Sequence, residues 1–172
     1  MIDEVYTGGC QCGDVRFRIE GALKDPSICH CRMCQKAFGN YYAPLVSVTG
    51  TAFSWTRGAP KYFQSSNYVK RGFCENCGTP LSYEGPDGVG LAIGAFDEPQ
   101  RLKPIVQFGV EGKIGYVDHL HELPERDTMD DLEAAPFLTD IVSYQHPDHD
   151  TGEWAARRQT ETDHWRPKEE GV

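Results

Sequence analysis

A mainly β domain of short antiparallel strands, cross-linked by metal, is the fold class this chain predicts, and three observations predict it. Apolar and polar residues alternate with period two, as in Val15, Phe17 and Ile19 against Arg16, Arg18 and Glu20. Eighteen glycines and eleven prolines cut the 172 residues into short runs separated by turn signals. Seven cysteines, none beyond Cys77, fall into closely spaced groups. Hydrophobic residues make up 39% of the chain, so a turn-rich domain of this size gains from metal cross-links.

In chain order, residues 4–20 read as strand, and the Gly8-Gly9 pair before Cys10 allows a tight turn beside a ligand. Residues 27–31 are extended, and 34–38 form a single helical turn stopped by Gly39. Short strands follow at 43–48, 52–56, 62–64, 69–73, 81–84 and 89–93, parted by signals such as Thr49-Gly50 and Gly85-Pro86-Asp87-Gly88. The β domain is expected to span 1–118. From His119 onward, five of the six histidines occur with many acids and no cysteine, which marks 119–172 as a separate C-terminal extension. It is expected to be partly helical, with short helices over 129–135 and 153–161 capped at Asp127 or Thr128 and at Thr151. His146, Asp148, His149 and Asp150 resemble a metal cluster but read better as a polar turn. Trp154 and Trp165 are expected to anchor the extension onto the domain or a partner subunit, which makes a homodimer plausible, and 167–172 to fray.

The formal charge of −9 repels phosphate backbones and anionic lipid, so nucleic-acid and membrane partners are not expected. The first ten residues, MIDEVYTGGC, show neither a basic nor an apolar region of a signal peptide, and no apolar run reaches the length of a membrane span. A soluble, cytoplasmic chain is the expectation. In a reducing compartment clustered cysteines are metal ligands or reactive thiols more often than disulfides, and an odd number cannot pair completely.

The cysteine pattern is C-x-C, sixteen residues, C-x-C-x2-C, thirty-nine residues, C-x2-C. Cys74 and Cys77, followed by Gly78, have knuckle form, and pairing them with Cys10 and Cys12 completes four thiolates, the usual closed Zn²⁺ cage. A redox role for Cys74-x2-Cys77 would need a thioredoxin-like context that the flanking sequence lacks. Cys29, Cys31 and Cys34 supply only three sulfurs. On a strand, Cys29 and Cys31 share one face and His30 the other, and a turn brings Cys34 to the same point. Two readings stay open here. One is a catalytic zinc with a free position; the other is a structural zinc closed by a fourth ligand, for which His30, His119 and His121 are candidates. A free thiol cluster is a third. Three thiolates make zinc a poor acidifier of water, so an open site favours binding and activating a small thiol over hydrolysis.

Three segments carry a resemblance: Gly9-Cys10-Gln11-Cys12-Gly13-Asp14-Val15-Arg16-Phe17, Cys29-His30-Cys31-Arg32-Met33-Cys34-Gln35-Lys36, and Arg71-Gly72-Phe73-Cys74-Glu75-Asn76-Cys77-Gly78. In this order, over residues 5–118, the chain resembles the glutathione-dependent formaldehyde-activating enzyme family, the GFA or CENP-V/GFA domain. The resemblance implies an Mss4-like fold of small sheets built around zinc. It implies two Zn²⁺ per chain, a structural ion on Cys10, Cys12, Cys74 and Cys77 and a catalytic-type ion on Cys29, Cys31 and Cys34. It also implies a carbon–sulfur lyase activity that joins glutathione to formaldehyde as S-(hydroxymethyl)glutathione. The contrasting expectation is a non-catalytic zinc-binding adaptor with both sites structural.

Other residues have roles to be decided. Arg32 and Lys36 flank the triad and could receive glutathione carboxylates, and Arg71 could donate hydrogen bonds to sulfur. Phe38, Tyr41, Tyr42 and Phe53 could wall a pocket, although core positions are the simpler reading.

Overall fold

The alternating stretch at the start of the chain folds as two strands. In the structure, a computed structural model that describes residues 4–154, β1 (Val5–Gly9) pairs antiparallel with β2 (Arg16–Glu20). Strand β2 pairs in turn with β5 (Ala52–Arg57), making a three-stranded sheet. Phe17 and Ile19 lie on its inner face, fully buried. The Phe17 ring meets those of Phe96, Trp55 and Phe53 at centroid separations of 4.9, 6.0 and 6.5 Å, with tilted or edge-on geometry.

The second sheet has seven strands. Its order is β10 (Val106–Phe108), β3 (Lys24–Cys29), β4 (Ala43–Ser47), β9 (Gly88–Ala92), β8 (Pro80–Gly85), β7 (Lys70–Phe73) and β6 (Lys61–Gln64). Neighbours are antiparallel except β10, which runs parallel to β3. One helix, α1 (Arg32–Phe38), follows β3 and ends at Gly39 in the left-handed conformation, φ 55°. Val46, Leu81 and Leu91 from this sheet join Phe17 and Ile19 in a single core, so the two sheets share one apolar interior. The mainly β architecture expected from the period-two runs is the one observed, with its cysteine clusters placed to be braced by zinc.

Several expectations need correction. Gly8 and Gly9 make no turn; they belong to β1, and a Cβ on Gly8 would stand 2.3 Å from the Ala95 carbonyl oxygen, where β1 bridges to Phe96. Arg16, a polar member of the alternation, is itself buried, its guanidinium held by Asp97 and Asp150. Strand β10 carried no sequence signal: its three residues are exposed and owe their conformation to pairing with β3. The helix expected over 129–135 is a short 3-10 turn, Thr128–Asp131, capped at Asp127. It buries none of its side chains, and a short helix without a packed face is marginal in water. Of the second expected helix, Glu153 and Trp154 are not helical, and the rest lies outside the described residues, as do Trp165 and 167–172. No helix among the described residues is long and apolar enough to cross a membrane.

The charge that holds Arg16 is a fork. Arg16 Nη1 and Nη2 donate to the two Asp97 oxygens at 2.8 and 2.6 Å, and Nη2 also reaches Asp150 Oδ1 at 2.8 Å. The Thr7 hydroxyl donates to Asp97 Oδ2 at 2.6 Å. Burial by itself would raise the Asp97 carboxyl, but Arg16 and Thr7 outweigh it and hold it below its ordinary 3.8. The carboxylate therefore stabilises the fold fully above that ordinary value, and its contribution fades as pH falls through the lower folded value. Asp97→Ala, which leaves the buried guanidinium only the half-exposed Asp150, is expected to cost roughly 3 kcal/mol by urea denaturation at neutral pH. Asp97→Asn is expected to flatten the acid limb of the stability–pH curve below about pH 4.

Candidate metal centres

Two knuckles from distant parts of the chain meet at the first sulfur cluster. In one, the loop between β1 and β2 turns so that the Gly13 N–H reaches the Cys10 carbonyl at 3.0 Å and the Val15 N–H reaches Cys10 Sγ at 3.3 Å. In the other, Gly78, with φ 75°, returns its N–H to the Cys74 carbonyl at 2.9 Å. The Gln11 N–H donates to Thr79 Oγ1 at 3.1 Å and ties the two together. All four sulfurs of Cys10, Cys12, Cys74 and Cys77 lie within 4.8 Å of one another. Cys10–Cys12 and Cys12–Cys74 are separated by 3.5 and 3.7 Å. Four sulfurs each about 2.3 Å from one tetrahedral Zn²⁺ would stand about 3.8 Å apart, so this donor set fits the ion.

The electrostatics fit as well. Burial pushes the Cys10 thiol up to about 11 and raises Cys12 too. Burial opposes ionisation of Cys77, but hydrogen bonds from Thr79 and from Cys12 prevail and bring it down to about 6. A dication bound among the four sulfurs would favour the thiolate form of each.

The C-terminal extension closes over this cluster. The His146 N–H donates to the Gln11 carbonyl at 2.8 Å, and Trp154 Nε1 donates to the Cys12 carbonyl at 2.7 Å. His146 is buried, and burial followed by the nearby Arg16 and Arg57 charges lowers its pKa despite its bond to Pro147. Its neutral ring donates from Nδ1 to the Pro147 carbonyl at 2.7 Å. Nε2 accepts from Arg57 and from the Thr151 hydroxyl at 3.2 and 3.0 Å. The stretch read as a polar turn thus supplies a buried clamp rather than a solvated loop. Arg57, which also donates to the Gly13 and Thr151 carbonyls, went unnoticed because nothing in its local sequence marks it.

The second cluster is built on one continuous segment. Cys29 ends β3, Cys31 caps α1 and Cys34 lies in its first turn, which brings the three sulfurs within 4.8 Å of one another. Among the described residues no histidine or carboxylate joins them. His30 is fully buried with Nε2 3.0 Å from Gln107 Oε1, His119 pairs with Glu122, and His121 is exposed, so none of the three candidate fourth ligands takes that place. The hydrogen bond from Cys34 lowers the Cys29 thiol, while giving that bond, together with burial, raises Cys34. Residues 108–112 hold the segment from behind. The His30 N–H donates to the Phe108 carbonyl at 2.8 Å, and Gln35 Nε2 bridges the carbonyls of His30 and Gly112 at 2.7 and 2.9 Å. A Cβ on Gly109, whose φ is 62°, would stand 2.8 Å from the Cys31 nitrogen, so only glycine lets this segment pass.

A cavity of about 450 Å³ opens on the triad. It lies over the larger sheet, where Ser47, Gly90, Tyr83 and Arg71 stand in one cross-strand row. Leu45, Val69, Val89 and Phe108 give it carbon walls. Arg71 donates from Nη2 to Cys34 Sγ at 3.4 Å and from Nε to Ser65 at 3.1 Å. It serves sulfur as anticipated, but the sulfur is the triad's and not that of the knuckle it adjoins. Phe38, Tyr41, Tyr42 and Phe53 do not line this cavity: Phe38 and Phe53 pack on the core, Tyr42 on His30, and Tyr41 on Tyr116. Arg32 and Lys36 do not line it either, and Arg32 bonds Gln35.

Residues 5–111, a span that contains both clusters, match the family described as glutathione-dependent formaldehyde-activating enzyme. The chain belongs to this family. An uncharacterized lyase of Schizosaccharomyces pombe is 28% identical to it over 85 residues, 48% of this chain and 60% of that protein, so the chain spans about three-fifths of the relative's length. A crystal structure of a Rhodobacter sphaeroides protein aligns with a TM-score of 0.44 at 22% identity, over 59% of this chain and 98% of that one. For this family member, loss of the clamp is expected to touch one cluster only. Trp154→Ala should cost about 1–3 kcal/mol by leaving the Cys12 carbonyl unpaired. In a chelator-release assay of the metal-loaded chain, one of two kinetic phases should accelerate and the other stay unchanged.

Proposed function

We propose that this chain is a zinc-dependent enzyme of the carbon–sulfur lyase type, acting on a small thiol of the glutathione kind and an aldehyde such as formaldehyde, or on their adduct. The observation that carries the proposal is the contrast between the clusters. Cys10, Cys12, Cys74 and Cys77 form a complete set of four, with His146 and Trp154 bonded to the carbonyls of Gln11 and Cys12. Cys29, Cys31 and Cys34 form a set of three beside an open cavity. Each cluster would hold one Zn²⁺. Bound at the triad, zinc supplies a position where an incoming thiol is bound and its pKa lowered.

The remaining work falls to the chain's own residues. Leu45, Val69, Val89 and Phe108 give a bound ligand apolar surface beside the triad. Arg71 offsets the negative charge of the sulfurs from 3.4 Å and holds Cys34 in place. In the forward reaction a carbon–sulfur bond forms at the carbonyl carbon, and the proton lost by the thiol ends on the former carbonyl oxygen. The lyase direction reverses both changes.

Metal analysis of the purified chain is expected to give two zinc ions. Cys31→Ser should lower activity by at least a hundredfold while the thermal midpoint changes little, since serine is a favoured residue at a helix N-cap. Cys77→Ser should cost the fold itself. If Cys31→Ser unfolds the chain as badly as Cys77→Ser, the triad is a structural staple and the proposal fails.

A further inference from the structure

The cavity is better suited to a carbon-rich ligand than to a peptide thiol. Leu45, Val69, Val89 and Phe108 supply apolar surface, and Gly90, lacking a side chain in the middle of its cross-strand row, leaves the depth above the sheet. At about 450 Å³ it has the size of a site for a small organic molecule.

Its charges point the same way. Arg71 is the one cation in the lining among the described residues, and it is already committed to Cys34 and Ser65. Its remaining terminal nitrogen, Nη1, is buried and without a hydrogen-bond partner among the described residues, so it is not presented at the cavity surface. The exposed charges are two carboxylates, Asp25 and Asp87, and the latter accepts from the Tyr83 hydroxyl at 3.0 Å. Glutathione carries two carboxylates on a polar peptide. At this site it would meet two like charges and no free cation, on a chain whose formal charge is −9.

We infer that the thiol or thiol adduct taken by the triad cavity is neutral with an apolar body, an aromatic or branched aliphatic group seated over Gly90, and that glutathione is a poor ligand by comparison. This rests on the reading that a thiol engages the triad, and it puts an apolar thiol in the place that reading gave to one of the glutathione kind.

The test titrates the cobalt-loaded full chain with phenylmethanethiol, glutathione and 2-mercaptoethanol, following the cobalt absorption bands. Phenylmethanethiol is expected to half-saturate the change at a concentration at least tenfold lower than either of the others, about what partial burial of one ring provides. Gly90→Val should bring that ratio down to about threefold or less. The substitution suits a strand, because a Cβ at residue 90 meets Leu45 and Val46 at ordinary contact distances of 3.8 Å. Asp25→Asn combined with Asp87→Asn should improve glutathione binding threefold or more and leave phenylmethanethiol within twofold. If glutathione saturates at the lower concentration, or if the double variant gives it no gain, the inference is overturned and thiol binding at the triad stands. If no thiol changes the spectrum, the inference and the proposed function fall together.

Discussion

Four sulfurs crowded within contact of one another, with Cys10 and Cys74 almost closed to solvent, cannot all be anions unless a cation sits among them. Much of the rest of the fold depends on that constraint. The C-x-C loop follows β1 in the small sheet, and Cys74 follows β7 in the large one, so whatever joins the four sulfurs also joins the sheets. Fixing two chain segments more than sixty residues apart removes conformational freedom from the unfolded state as a covalent link would. A domain with few long elements and a modest apolar core gains most from such a link.

The same constraint accounts for the route of the C-terminal segment. The carbonyls of Gln11 and Cys12 are left without strand partners by the tight loop, and the loop lies beside a cluster whose charge must be kept from water. His146 and Trp154 satisfy those two carbonyls from another part of the chain. Arg57 then joins His146, Thr151 and the Gly13 carbonyl into one network. A polar network of this kind holds only when each member is satisfied, which is why the residues that complete it lie so far apart in sequence.

What the sequence disclosed and what it withheld divide along local and non-local lines. The two sulfur groups were legible because soft ligands at short spacing admit few other readings, and the strands from Ala43 to Ala92 because alternation and turn residues are local signals. Arg16 reads as an outward residue of β2; only its ion pair with Asp97, eighty-one residues further along the chain, shows that it is held inside. The cavity was illegible for a related reason. Its row runs across β4, β9, β8 and β7, and its most informative member, Gly90, contributes an absence of side chain that a sequence read along the chain cannot locate. The aromatics that were the natural candidates for its walls belong instead to the core and to pairings around His30 and Tyr116.

The two clusters are linked through one side chain. Arg71 lies on β7, three residues before Cys74, and its guanidinium reaches back to Cys34 of the other cluster. Ser65 holds its Nε, and the strand runs directly into the knuckle that carries Cys74 and Cys77. The Cys29 hydrogen bond and burial together raise the Cys34 thiol, and the guanidinium lowers it against them. One strand thus carries both a sulfur of the first cluster's knuckle just past its end and, three residues earlier, the guanidinium that bonds a sulfur of the second.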